Sequence, residues 1–151
     1  MLRIYLDTCC YNRPFDDQTQ DRIRLESEAV RLILRHVENQ EWFLIGSEVL
    51  QYEVSRIPHE ERKVAVATML EVVDQEVPIS EEVVRLAEAL EREGIDAYDA
   101  YHLACGTVGK TNVFFTVDDR LAGKASEVER ICGFTVTNPV TWIRNQRGLE
   151  R

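Results

Sequence analysis

The sequence predicts an α/β protein, an α/β/α sandwich built on a central parallel β-sheet. Three observations carry this reading. Short apolar runs rich in β-branched and aromatic residues recur along the 151-residue chain. Amphipathic helical stretches separate them, as repeated βα units require. Two of the runs, far apart in sequence, end directly on aspartates, at Asp7 and at Asp118-Asp119.

The elements follow in order. Leu2-Arg3-Ile4-Tyr5-Leu6 reads as the first strand and runs into Asp7. Residues 22–38 form the first long helix, with Ile23, Ala29, Val30, Ile33 and Val37 in one apolar stripe. Trp42 to Ile45 is a second strand, and Ser47 opens a helix that ends near Pro58. A helix from Glu60 to Asp74 precedes a short strand at Val77-Pro78-Ile79. Ser80 caps the next helix, with Glu81 and Glu82 in its favoured first turn, and Gly94 closes it as a C′ glycine. Asp96 to Thr107 is helical, and residues 113–116 form a strand. A short helix, a strand at Phe134-Thr135-Val136 and a last helix after Pro139 complete the chain.

No repeat, linker or low-complexity segment divides the chain, so residues 1–151 are expected to form a single domain. At this length a domain buries about two thirds of its unfolded surface. No apolar run is long enough to span a bilayer, and a strand begins almost at Met1, so a cytoplasmic protein with no leader is expected. The four cysteines lack any C-x-x-C spacing, which argues against structural zinc; Cys9 and Cys10 read as small side chains packed after a strand. The net charge of −9 argues against a protein that grips nucleic acid over its whole surface. It suits a clustered acidic site, a basic partner, or both.

The acids are placed tellingly. Ligands of open parallel sheets gather beyond the carboxyl ends of the strands, which is where Asp7 and Asp118 fall. At about 100° per residue, Glu53 shares a face with Val49, Leu50 and Ile57, and a carboxylate in an apolar stripe needs a cationic partner, an arginine or a metal. Asp96 and Asp99 share a helix face; Asp96 has an alternative role as N-cap, whereas Asp99 lies a turn further in. His102 reads as a packed core residue, and Thr116 is placed to hold a carboxylate by a hydrogen bond. Four converging carboxylates would raise one another's pKa values unless cations offset them. An all-oxygen set suits Mg²⁺ or Mn²⁺ rather than zinc, and carboxylate-held cations of this kind serve phosphoryl transfer.

These residues carry a resemblance. Ile4-Tyr5-Leu6-Asp7-Thr8, Ser47 with Glu53 six residues later, Asp99-Ala100-Tyr101-His102-Leu103-Ala104 and Thr116-x-Asp118 together resemble the PIN-domain family, in the family's order. The resemblance implies a PIN-like α/β/α fold and an Mg²⁺- or Mn²⁺-dependent ribonuclease, a class that includes VapC-type toxins of toxin–antitoxin pairs. It implies that Asp7, Asp99 and Asp118 hold metal, with Glu53 holding metal or its water, and that these four acids are the catalytic set. It further implies an RNA substrate, a homodimer and an antitoxin partner, for which the net charge suits a basic protein. Cys9 departs from the family, which often has Asn or Ser two residues after the first Asp, and this puts the hydrogen bonding around Asp7 in question.

Competing readings remain. A phosphoaspartate enzyme usually needs a second Asp at position 9, and Cys9 stands there. A PIN-fold interaction module with little or no nuclease activity is the alternative of a different class. Arg13, in the Tyr11–Asp17 segment, is read either as a phosphate contact or as part of a solvated turn. Arg24, Arg31 and Arg35 share a helix face with Glu28 and read as a salt-bridged surface rather than an RNA track. Lys110, Arg120 and Lys124 are expected to approach the acidic site.

Overall fold

A computed structural model describes residues 1–150, with side chains described through Gln146. Five strands, β1 (Leu2–Leu6), β2 (Trp42–Ser47), β3 (Gln75–Val77), β4 (Val113–Phe115) and β5 (Thr135–Thr137), form one sheet in the order β3-β2-β1-β4-β5. Every pairing is parallel. Central β1 pairs Leu2 to Trp42 on one side and Ile4 to Val113 on the other. Strand order reverses between β1 and β4, and that reversal opens a crevice beyond their carboxyl ends.

The helices are α1 (Thr8–Asn12), α2 (Asp21–Glu38), α3 (Glu48–Ser55), α4 (Glu60–Met69), α5 (Glu81–Arg92), α6 (Ala97–Val108), α7 (Asp119–Ala122), α8 (Ala125–Cys132) and α9 (Pro139–Glu150). They cover both faces of the sheet, giving the expected α/β/α sandwich. Side-chain alternation sorts the core between the two layers. Tyr5 stacks on Phe114, with centroids 5.0 Å apart, and meets His102 of α6 edge-on. Phe115, the next residue of β4, meets Trp142 of α9 instead. In the central strand, Ile4, Tyr5 and Leu6 are inaccessible to solvent.

Caps set several boundaries. Ser47 and Ser80 accept hydrogen bonds from Leu50 N–H and Val83 N–H, at 3.2 and 3.3 Å. Gly94 follows α5 at φ +88°, a left-handed conformation that suits glycine. Elsewhere the boundaries differ from expectation. The helix from Glu60 stops at Met69 and tightens into a 3₁₀ turn over Leu70–Val72. The third strand ends at Val77, before Pro78, which has no N–H to give the ladder. The short helix after β4 is two helices, α7 and α8, and β5 lies one residue further on than the apolar run suggests. None of the described helices is long and apolar enough to cross a membrane.

Candidate active site

The carboxyl end of β1 delivers Asp7 to the crevice, where only 6% of its surface is exposed. Asp7 is also the N-cap of the unexpected helix α1. Its Oδ1 accepts from Thr8 N–H at 2.8 Å, and its Oδ2 accepts from the Thr116 hydroxyl at 3.0 Å. Thr116 thus holds the carboxylate across the β1–β4 junction, as expected. The Cys9 thiol donates a longer bond to Oδ2 at 3.5 Å and accepts from Val117 N–H at the same distance. The thiol therefore fills the supporting place that Asn or Ser was expected to take. The described cysteines are all free thiols.

Asp118 follows β4 and caps α7, accepting from Arg120 N–H at 2.9 Å. Asp99, in the first turn of α6, is half-buried. Its pKa is pushed up to about 6, first by burial and then by the charges of Asp7 and Asp118. These three acids, from three separated segments, share one electrostatic field.

Glu53 has a different setting. Its Oε1 meets His102 Nε2 in a short hydrogen bond and accepts from the Thr8 hydroxyl at 2.9 Å. The sequence left an arginine or a metal as its partner, and the structure supplies a histidine. Burial by itself would raise the Glu53 carboxyl, but the His102 bond and charge, with Thr8, outweigh it and lower the pKa. Burial would likewise lower His102, but Glu53 and the nearby Asp7 charge raise it. His102 Nε2 lies 3.8 Å from Asp7 Oδ1. Its Nδ1 meets the Tyr5 hydroxyl at 2.6 Å, and that hydroxyl meets Ser47 Oγ at 2.7 Å. His102 is packed in the core as expected, and it also ties Glu53 into a buried polar chain, a role that its apolar sequence neighbours did not signal.

Other expectations change. Asp96 precedes α6 but makes no side-chain cap; it pairs with Arg120 at 2.9 Å. Asp119 is held by both terminal nitrogens of Arg22, at 2.8 and 2.7 Å. Arg13, left as either a phosphate contact or part of a solvated turn, is partly buried and engaged in ion pairs. It is committed to Glu26 at 2.8 Å and to Asp16 at 3.0 Å. Arg24 pairs with Asp21, not with Glu28, at 3.1 Å. Lys110 stands at the amino end of β4, in the turn whose carbonyls bind Arg3, and so lies away from the acids. Arg120 and Lys124 meet the expectation: with Asp96 and Asp99 they line a recess of about 80 Å³.

Carboxylate oxygens, as on Asp7, Asp99 and Asp118, are the donors a hard divalent cation takes, and the repulsion felt by Asp99 is what such a cation would relieve. Among the described residues, no three His, Cys, Asp or Glu side chains lie close enough to surround a metal together. Mg²⁺ does not require such a ring, because it keeps several waters and binds through one or two carboxylates plus substrate phosphates.

An all-parallel sheet with acids at its switch point places the chain among the open α/β folds, which bind ligands at that edge. The PIN domain family profile matches residues 4–127, and the chain belongs to that family. A comparison with curated proteins finds no match. Among solved structures, the fold resembles a chain of VapBC2 from Rickettsia felis bound to a DNA fragment from its promoter. That match has 15% identity and a TM-score of 0.56, covering 91% of this chain and 98% of the other. It also resembles a chain of VapBC-1 from nontypeable Haemophilus influenzae, at 16% identity and a TM-score of 0.55 with the same coverage.

Proposed function

We propose that the protein is a divalent-metal-dependent endoribonuclease that cleaves RNA phosphodiester bonds at the β1–β4 crevice. The carrying observation is the placement of Asp7 and Asp118 beyond the ends of adjacent strands, within the field of Asp99. Asp7, Asp99 and Asp118 hold Mg²⁺ or Mn²⁺ in this reading. Thr8 N–H and Thr116 orient Asp7 for that task. Glu53, kept ionised by His102, is the acid placed to orient the attacking water. The cation, when bound, lowers the pKa of water and offsets charge on phosphorus. Membership of the PIN family and the likeness to two VapBC structures support a toxin role in the cytoplasm. The partners would be a basic antitoxin, favoured by the net charge of −9, and a second copy of the chain.

Calorimetric titration of Mn²⁺ into the metal-free protein and into Asp99→Asn tests the site directly. Binding should weaken sharply in the variant. In a nuclease assay, Asp7→Asn should lower the cleavage rate on the order of 1000-fold, or about 4 kcal/mol, with RNA affinity little changed. A loss confined to affinity would overturn the catalytic assignment. A second reading, a PIN-fold interaction module with little nuclease activity, draws on the absence of a ready three-residue metal group among the described residues. It requires that Mn²⁺ fail to bind even with RNA present.

A further inference from the structure

We propose that Tyr52 and Tyr98 form a stacking platform for an unpaired base of the RNA substrate beside the acidic site, an inference that rests on the nuclease reading above. Both rings are exposed, at 47% and 53%, in a protein whose other large aromatics are mostly interior. Tyr52 comes from α3 and Tyr98 from α6, yet their rings lie within 18° of parallel with centroids 6.3 Å apart. They face a recess of about 260 Å³, completed by Val49, Ile79 and Tyr101.

The position of the pair ties it to the chemistry. Tyr52 directly precedes Glu53, and Tyr98 directly precedes Asp99. The Arg56 guanidinium carbon lies 5.7 Å from the Tyr52 ring centre. Lys124 lines the recess on the Asp99 side of the site. Among the described residues, neither Arg56 nor Lys124 makes an ion pair. On a chain of charge −9, two cations without an acidic partner and two exposed tyrosines thus stand next to the segments that carry Glu53 and Asp99.

Single-stranded nucleic acid is held by this combination, with cations on the backbone and aromatic faces under the bases. A duplex offers no free base face to the platform. A second copy of the chain is a poorer occupant. An interface pairing this recess with itself would bring Glu53 and Asp99 of both copies together, and juxtaposed like charges cost several kcal/mol.

The test is equilibrium binding of an eight-nucleotide single-stranded RNA carrying 2-aminopurine, with Ca²⁺ present, alongside a duplex of the same sequence. Wild type should quench the 2-aminopurine fluorescence and prefer the single strand. Tyr52→Ala, Tyr98→Ala and Tyr98→Leu should each weaken binding by about 5- to 150-fold, the range for loss of one base stack. Tyr98→Phe should restore both affinity and quenching. Wild-type affinity in all the tyrosine variants would overturn the platform and leave the nuclease reading standing. Conversion of a wild-type dimer to monomer in the alanine variants, with RNA affinity unchanged, would also overturn it and assign the patch to a protein interface. Failure of the wild type to bind either RNA would remove the nuclease reading itself.

Discussion

Glu26 and Asp7 are both buried acids, at 1% and 6% exposure, and they are satisfied in opposite ways. Glu26 accepts from the Nε of Arg13 at 2.8 Å, from the Nε of Arg22 at 3.1 Å and from the Asn138 amide at 2.5 Å. Two guanidinium charges face one carboxylate, and Arg22 extends the network to Asp119. Asp7 receives a backbone N–H, a hydroxyl and a thiol, with His102 Nε2 3.8 Å away and no Arg or Lys ion pair among the described residues. Its neighbours Asp99 and Asp118 add negative charge rather than removing it. A fully compensated buried acid fastens the fold, joining the segment after α1 and the start of α2 to the entry of α9. An under-compensated cluster weakens the fold and leaves room for a cation. The contrast separates a structural carboxylate from one proposed to be functional by its partners, not by its burial.

The largest expected effect falls on the structural side. Glu26→Ala removes an acid shared by Arg13 and Arg22, which keep Asp16 and Asp119, and leaves the Asn138 amide unpaired; it should cost about 1–3 kcal/mol in urea denaturation. Added Mn²⁺ should not restore that loss. A cost under about 1 kcal/mol would mean that Asp16 and Asp119 alone satisfy the two arginines, and the contrast would collapse.

The opposite sign is expected at Asp99. Its folded pKa of about 6 lies above the ordinary aspartate value, so the folded protein holds a proton that the unfolded chain releases between about pH 4 and 6. Stability from this residue therefore falls as pH rises through that window and stays low above it. In EDTA, Asp99→Asn should melt at the same temperature as wild type near pH 4. It should melt a few degrees higher at pH 7, corresponding to about 1 kcal/mol after allowance for partial exposure. Mn²⁺ should close the gap by stabilising the wild type alone. Equal melting temperatures at pH 7 would show that the acids are already compensated.

The smallest effect concerns Cys9. Cys9→Ser exchanges a weak thiol donor to Asp7 for a hydroxyl and should leave stability within about 1 kcal/mol by thermal denaturation. A loss of 2 kcal/mol or more would place the value of Cys9 in its packing and not in its support of Asp7.

Much of the fold could be read from the chain because its signals are local. The apolar runs located β1 and β2 closely, and Ser47, Ser80 and Gly94 marked helix ends through their own caps. Helix α1 was missed because five residues, two of them cysteines, present no helical period, and its only signal is an Asp N-cap that also reads as a site acid. The role of Arg13 was left open for a related reason. Its partner Glu26 lies 13 residues away, on a helix whose stripe says nothing about what faces it.

By itself the sequence determined the parallel α/β class, the four acids in their order and the ends of the strands that carry two of them. Periodicity and capping record burial along a single element, and those residues needed nothing else. Only the tertiary structure decided which acid is compensated. The partner of Glu53 is His102, 49 residues away, and the hydroxyl that holds Asp7 belongs to Thr116, 109 residues away. Charge compensation is a property of pairs brought together by the sheet order β3-β2-β1-β4-β5, and no local pattern in either member of a pair encodes the other.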